Sequence, residues 1–408
     1  MSKKIIITIS VILGLFLISL VAYYFIATTN TGDGTTKTTG FRSFFPFGGN
    51  DLPPTQTEAT TTEPTPIDQN NQQNFTKKLR KISEEPVAGA GTLDSKAGTV
   101  VRYIEKATGH IYEVELFSPR QARISNTTIP VVYDAVWGNK NDSLVARYLK
   151  DDNQTVDTYS LTVKNLSTST ENTITGIAMP ANIDDVSSYG STIFFLIKSD
   201  SGSSGFTSNF DGSKKKQVWN SQIKELSSQF INSKTVALTT KPAQNIPGYL
   251  YFVDTTTGSS KRVLGDIAGL STLLDGLGSQ VVFLEQTNDA KLFLYNIKNK
   301  TKTNITPTTF PEKCVWSKKD TSVLYCAVPR DYLSGNSLIS WYKGIVSHSD
   351  DIWKFDLKNN TSNIIEDLGS NAKEDIDVIK PFLSENEQYL IFMNKKDNTL
   401  WSLDLLQS

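Results

Sequence analysis

The sequence predicts an all-β fold, a seven-bladed β-propeller of four-stranded antiparallel blades, preceded by one transmembrane helix and a disordered tether. Three observations carry that expectation. Beyond residue 75, short β-branched and aromatic runs recur every 8 to 15 residues between Gly, Asn, Asp and Ser clusters, with almost no helical periodicity. The runs repeat one hairpin pattern. Ahead of them, residues 5–27 are predominantly apolar and carry no charge.

At the N-terminus, Lys3 and Lys4 precede "IIITISVILGLFLISLVAYYFIA", a stretch that as a helix is about 35 Å long and therefore reaches across a bilayer. The lysines on its N-terminal side, and Tyr23 and Tyr24 near its other end, predict residues 1–4 in the cytoplasm and the remainder outside. A cleaved signal peptide is the competing reading; the length of the run and the lack of a small-x-small site count against it. No cysteine sits at the end of the run, which excludes a lipoprotein anchor.

Residues 28–75 are dominated by Thr, Pro, Gly, Asn and Gln and cannot bury a core, so a flexible tether spanning roughly 35–40 Å is expected. Within it, "FRSFFPFGG" places Phe41, Phe44, Phe45 and Phe47 in otherwise polar surroundings. Either the rings dip into the lipid headgroups or the segment docks on a partner or on the chain's own folded domain.

Residues 76–408 form the propeller domain. The segments beginning at 111, 250, 292, 352 and 400 ("IYEVEL", "LYFVDT", "LFLYNI", "IWKFDL", "LWSLDL") align as one alternating strand with Asp, Asn or Glu at the fifth place, followed by a polar turn. A second element, "VWGNKNDSLVARY", "VWSKKDTSVLYC" and "FLSENEQYLIF", reads as strand, turn, strand. A unit of about 40 to 60 residues with four strands predicts propeller blades, with limits near 85–126, 128–177, 180–220, 222–265, 267–306, 309–368 and 371–407. The last unit has only three strands of its own. Residues 78–83 are expected to close the ring as its outer strand and so remove an open sheet edge.

These repeats resemble the TolB-type propeller, a relative of the WD-repeat architecture, whose blades carry a "(W/F)SPDG" turn before the second strand and a "DG" turn before the fourth. "VWSKKD" and "FLSENE" resemble the first turn, and "NFDGSKKKQVW", with Asp211 and Gly212, the second. The whole arrangement also resembles membrane-anchored propeller proteins of small-genome bacteria. The resemblance implies the fold and leaves activity open.

Cys314 and Cys326, the two cysteines of the chain, bracket "CVWSKKDTSVLYC". A hairpin centred near Asp320 sets them on facing strands at a spacing a disulfide accepts, and an extracytoplasmic location permits oxidation. Two reduced thiols packed as small hydrophobes are the alternative. His110 and His348 are not spaced to complete a zinc site with them, and no base stands near for a catalytic thiol.

The chain carries 41 Lys and Arg against 42 Asp and Glu, with no basic block beyond "KKLRK" at 77–81, which argues against nucleic acid as a ligand. No cofactor motif, metal set or catalytic constellation is found. The doublets Asp151–Asp152, Asp184–Asp185 and Asp350–Asp351 sit at strand ends, where solvated aspartates are expected. One blade departs from the repeat: "PRDYLSGNSLISWYKGIVSHS" at 329–349 lengthens a second-to-third-strand loop and brings Tyr332, Trp341, Tyr342 and Lys343, residue types common at binding hot spots. Either these side chains meet a partner or Trp341 and Tyr342 fold back over the blade. The function this predicts is a membrane-anchored, non-enzymatic scaffold that binds a protein partner in the cell envelope. The alternatives are an envelope hydrolase or lyase using carboxylates in the central funnel, and a carbohydrate-binding module.

Overall fold

A computed structural model describes residues 76–407, apart from 139–140, 151, 153, 165–172, 244, 332 and 334–336. The apolar run at 5–27, the tether with its four phenylalanines, and Tyr332 lie outside the described residues. Among those described, no helix is long and apolar enough to cross a membrane.

Seven four-stranded antiparallel sheets follow one another along the chain. Six are consecutive: 87–123, 132–178, 183–221, 226–268, 271–305 and 314–366. The seventh, from Val378 to Asp404, takes Leu79–Lys81 as its outer strand, with Leu79 opposite Leu403 and Lys81 opposite Trp401. This is the expected closure. The fourth blade runs three residues past its anticipated limit, because its outer strand, Ser260–Ala268, is lengthened by two register shifts against Pro247–Asp254.

The burial pattern follows from stacking sheets face to face. Second strands are covered on both sides and read as unbroken apolar runs, as in Leu144–Ala146, Phe194–Leu196, Val281–Leu284 and Leu390–Met393, all buried. Outer strands meet solvent and are polar, as in Thr301–Ile305, where four of five residues are exposed. Tight turns between third and fourth strands use the residues that such backbones favour: Gly212 has φ +77°, and Asp211 Oδ1 accepts from the Ser213 amide at 2.9 Å.

The ring has two faces. Loops joining blades, and those joining second to third strands, share one face; the other two kinds of turn share the opposite face. Leu79 pairs beside the end of the last third strand, and the Asp404 amide donates to Lys78 O. The described chain therefore enters on the face opposite the 330–349 loop. On that loop's own face, the Lys395 amide donates to Asp377 O and the Lys395 ammonium to Trp341 O.

Candidate functional site

The insertion in blade six connects Val323–Pro329 to Asp350–Asp356 and contains a short helix, Ser337–Tyr342. Its apolar residues Leu333, Leu338 and Trp341 turn inward and join a core with Phe310, Trp316, Leu324 and Phe355. The Trp341 ring lies 5.3 Å from that of Phe310, which in turn meets His348 edge-on at 5.6 Å.

Beneath the helix three charged side chains are fully enclosed. Lys313, just before the inner strand of blade six, donates at 2.5 Å both to Asp350 Oδ2 and to Asp377 Oδ1. The two carboxylates are not equivalent. Asp377, just before the inner strand of blade seven, also accepts from Trp341 Nε1 at 2.9 and 3.0 Å, from Ser347 Oγ at 2.9 Å and from the His348 amide at 3.0 Å. Asp350 accepts from the Val378 amide at 2.7 Å, and its Oδ1 has no partner. Burial pushes the Asp350 carboxyl above its usual range, and Lys313 only partly offsets this. For Asp377 burial acts the same way, but Lys313 and the other donors outweigh it and hold the carboxyl below that range. His348 is pushed down by burial and by Lys313, and its Nε2 has no partner.

The rim of the insertion is tied down on two sides. Tyr342 donates its hydroxyl to Glu312, which also accepts from Ser271 Oγ at 2.5 Å. Tyr342 is 45% exposed through its ring, while its hydroxyl end is enclosed; burial and the Glu312 charge push the phenol well above its usual pKa. At the stem, Arg330 forks onto Asp351 at 2.5 and 3.1 Å and reaches Asp367, the N-cap of a helical turn at Leu368–Ala372. A Cβ at Gly369 would stand 2.5 Å from the guanidinium, so a larger residue there would push the Arg330 head aside. What remains at the surface is a tip of Tyr342, Lys343, Gly344 and Ile345, the last 71% exposed.

Comparison with known proteins supplies a fold and no function. No family model matches the chain, and no curated protein matches it. Among solved structures, a GH74 enzyme of Niastella koreensis superposes with TM-score 0.54 at 12% identity, over 81% of this chain and 54% of that one. The chain thus spans about half of that enzyme. A chain in the Mitotic Checkpoint Complex superposes with TM-score 0.51 at 12% identity, over 87% and 98% respectively. At such identities the likeness shows the propeller fold alone.

The sequence candidates therefore divide. Tyr342 and Lys343 stand at the exposed tip, whereas Trp341 is buried and holds Asp377, so it supports the loop and is not offered to a partner. Cys314 lies opposite Cys326 with Cα atoms 4.0 Å apart, and the two are joined as a disulfide under the insertion. The expectation that strand-end aspartates are solvated fails at Asp350, where Lys313 and the Val378 amide offset part of the cost of burial. It fails in part at Asp185, which accepts from the Ser228 amide and hydroxyl at 2.6 Å each and is pushed up to about 6 by burial. Asp152 fits the expectation: it is exposed and caps the turn at Gln154 and Thr155.

In the central funnel, Asp134 pairs with Lys380 at 2.6 Å and lies 3.7 Å from Arg147, and Asp184 pairs with Lys241 at 2.8 Å. These carboxylates clasp one blade to another. Among the described residues no group of three His, Cys, Asp or Glu side chains is placed to hold a metal ion.

Proposed function

We propose that the chain is a single-pass protein of the cytoplasmic membrane whose propeller stands outside as a non-enzymatic scaffold, docking a protein partner of the cell envelope at the tip of the blade-six insertion. The observation that carries this reading is the contrast between the tip and its footing. Tyr342, Lys343 and Ile345 are presented to solvent from a loop clamped by a fully buried ion-pair cluster, and a rigid apolar projection loses little entropy on binding. The Cys314–Cys326 disulfide favours an oxidising compartment. The described chain enters the propeller on the opposite face, and confinement of both partners to one surface raises the effective concentration.

An enzyme reading would centre on Asp185, the funnel carboxyl with the raised pKa. Its Oδ2 is already committed to Ser228, and its neighbours Asp134 and Asp184 are neutralised by Lys380 and Lys241, which favours an architectural role.

The double variant Lys343→Glu/Ile345→Asp alters only exposed side chains, so its stability should change by no more than about 0.5 kcal/mol. Chemical crosslinking in cells followed by purification of the full chain should recover one discrete envelope protein, and yield in the double variant should fall at least tenfold. Unchanged capture with an unchanged melting temperature would refute docking at the tip.

A further inference from the structure

Between blades two and three lies a cleft of about 450 Å³ that the docking reading does not use. Ile177, Met179 and Pro180 line it from the outer edge of blade two, and Ile193, Phe195 and Phe210 from blade three. Two polar groups break these apolar walls. Ser160, on the third strand of blade two, is 3% exposed, and its hydroxyl has no hydrogen-bond partner. An orphaned buried hydroxyl is costly unless something occupies the space in front of it. The second group is Lys215, exposed on the turn after Gly212. Its ammonium lies 5.0 Å from the ring centre of Phe206 and 5.7 Å from that of Phe195, and no carboxylate among the described residues forms an ion pair with it.

The wall of the cleft is set by backbone as well as by side chains. Gly212, at φ +77°, could not carry a Cβ without meeting Ile177 Cδ1 at 2.7 Å. The lack of a side chain at 212 lets the turn bearing Lys215 lie close against blade two. The volume lies within the range of small-ligand sites and suits a ligand of one or two rings.

We propose that this cleft binds a small aryl carboxylate bearing a hydrogen-bonding group on its ring. The ring lies between Met179, Ile177 and Phe210, the carboxylate meets the Lys215 ammonium at the mouth, and the ring substituent satisfies the Ser160 hydroxyl. Each of the three features answers one part of such a ligand. A purely apolar molecule would leave both polar groups unmet.

The test is a fluorescence titration of the full chain in lipid nanodiscs, with empty nanodiscs subtracted, using 6-hydroxy-2-naphthoate, 2-naphthoate and 2-naphthol. The expected result is saturable binding of the hydroxynaphthoate at one site per chain, with 2-naphthol at least tenfold weaker. Lys215→Gln should weaken both carboxylates at least fivefold and leave 2-naphthol unchanged, and Ser160→Ala should remove the advantage of the ring hydroxyl. Lys215 is exposed, so its variant should keep the wild-type melting temperature. Equal affinity for 2-naphthol and 2-naphthoate, non-saturable binding, or a Lys215→Gln variant that binds as wild type would each overturn the proposal.

Discussion

Replacing Lys313 by Met keeps the length and most of the volume of the side chain and removes only the ammonium that sits 2.5 Å from two buried carboxylates. Breaking a buried ion pair from one side costs about 3–5 kcal/mol, because the remaining charge is left without solvent or partner. Here two acids are left facing each other, so the upper part of that range applies at neutral pH. At about 2–4 °C per kcal/mol for a large domain, the melting temperature should fall by roughly 10 °C or more. The loss should depend on pH with a definite sign. In the wild type Asp377 is held below its usual range, so its contribution is present above the unfolded carboxylate pKa and fades as pH falls through the folded one. In the variant both carboxyls are raised by burial and mutual repulsion, so protonation favours the folded form. The deficit should be full at pH 7.5 and shrink as pH falls to about 5 and below. Urea denaturation followed by circular dichroism at pH 7.5 and pH 5.0 measures both quantities. A deficit under about 1 kcal/mol at pH 7.5 would refute the assignment of this cluster as the footing of the insertion. Equal deficits at the two pH values would refute the electrostatic reasoning.

Four further outcomes follow from the same geometry. Asp350→Asn should cost much less than Asp377→Asn, because Asp350 has one oxygen without a partner whereas an amide at 377 would turn a donor toward Trp341, Ser347 or the His348 amide; paired urea titrations report the order. Trp341→Ala should destabilise the protein by about 3–5 kcal/mol, as expected for a buried aromatic, and a melting temperature within 2 °C or so of wild type would contradict the burial. Cys314→Ser/Cys326→Ser opens a loop of sequence separation 12 and should lose at most about 3 kcal/mol without unfolding the ring; alkylation of natively purified wild-type protein without reductant should modify neither thiol. Deleting residues 76–84 removes the outer strand of blade seven and should lower the melting temperature while raising the tendency to aggregate through the exposed edge.

The parts of the fold legible in the sequence were those with a local signature. Outer hairpins alternate because one of their faces meets water, and turns such as Asp211–Gly212 need particular residues, so repeats and blade count could be read directly. "KKLRKISEEPVAGAG" at 77–91 resembles "QARISNTTIPVVYDA" at 121–135, a fourth strand followed by the next blade's first, so ring closure is legible without any long-range information. The insertion was visible only as excess length. Its interior was not legible, because Lys313 reaches acids 37 and 64 residues away, and in "PEKC", "HSDD" and "EDIDV" those residues stand among polar neighbours like any surface charge. Trp341 was open to two readings for the same reason: its burial is decided by Asp377, on the next blade. The one available signal is positional. Lys313 and Asp377 each precede the first strand of consecutive blades, where a charge points into the blade junction.

The footing also bears on how the tip would recognise a partner. A loop of 20 residues between Pro329 and Asp350 would ordinarily be costly to order on binding. This one is fixed beforehand at three places: at its stem by Arg330 on Asp351 and Asp367, at its helix by Trp341 and Ser347 on Asp377, and at its rim by Tyr342 on Glu312. Residues 343–345 lie between Tyr342 and Ser347, so they inherit their position from hydrogen bonds made beneath the tip. Loosening the cluster with Lys313→Met should then weaken capture at the tip even though Lys343 and Ile345 are unchanged, and it should do so together with faster amide exchange across 337–348. The Lys343→Glu/Ile345→Asp variant should weaken capture with exchange unaltered. Affinity lost without any change in exchange in the Lys313 variant would mean that the partner contacts the footing itself and that the tip is not the docking surface.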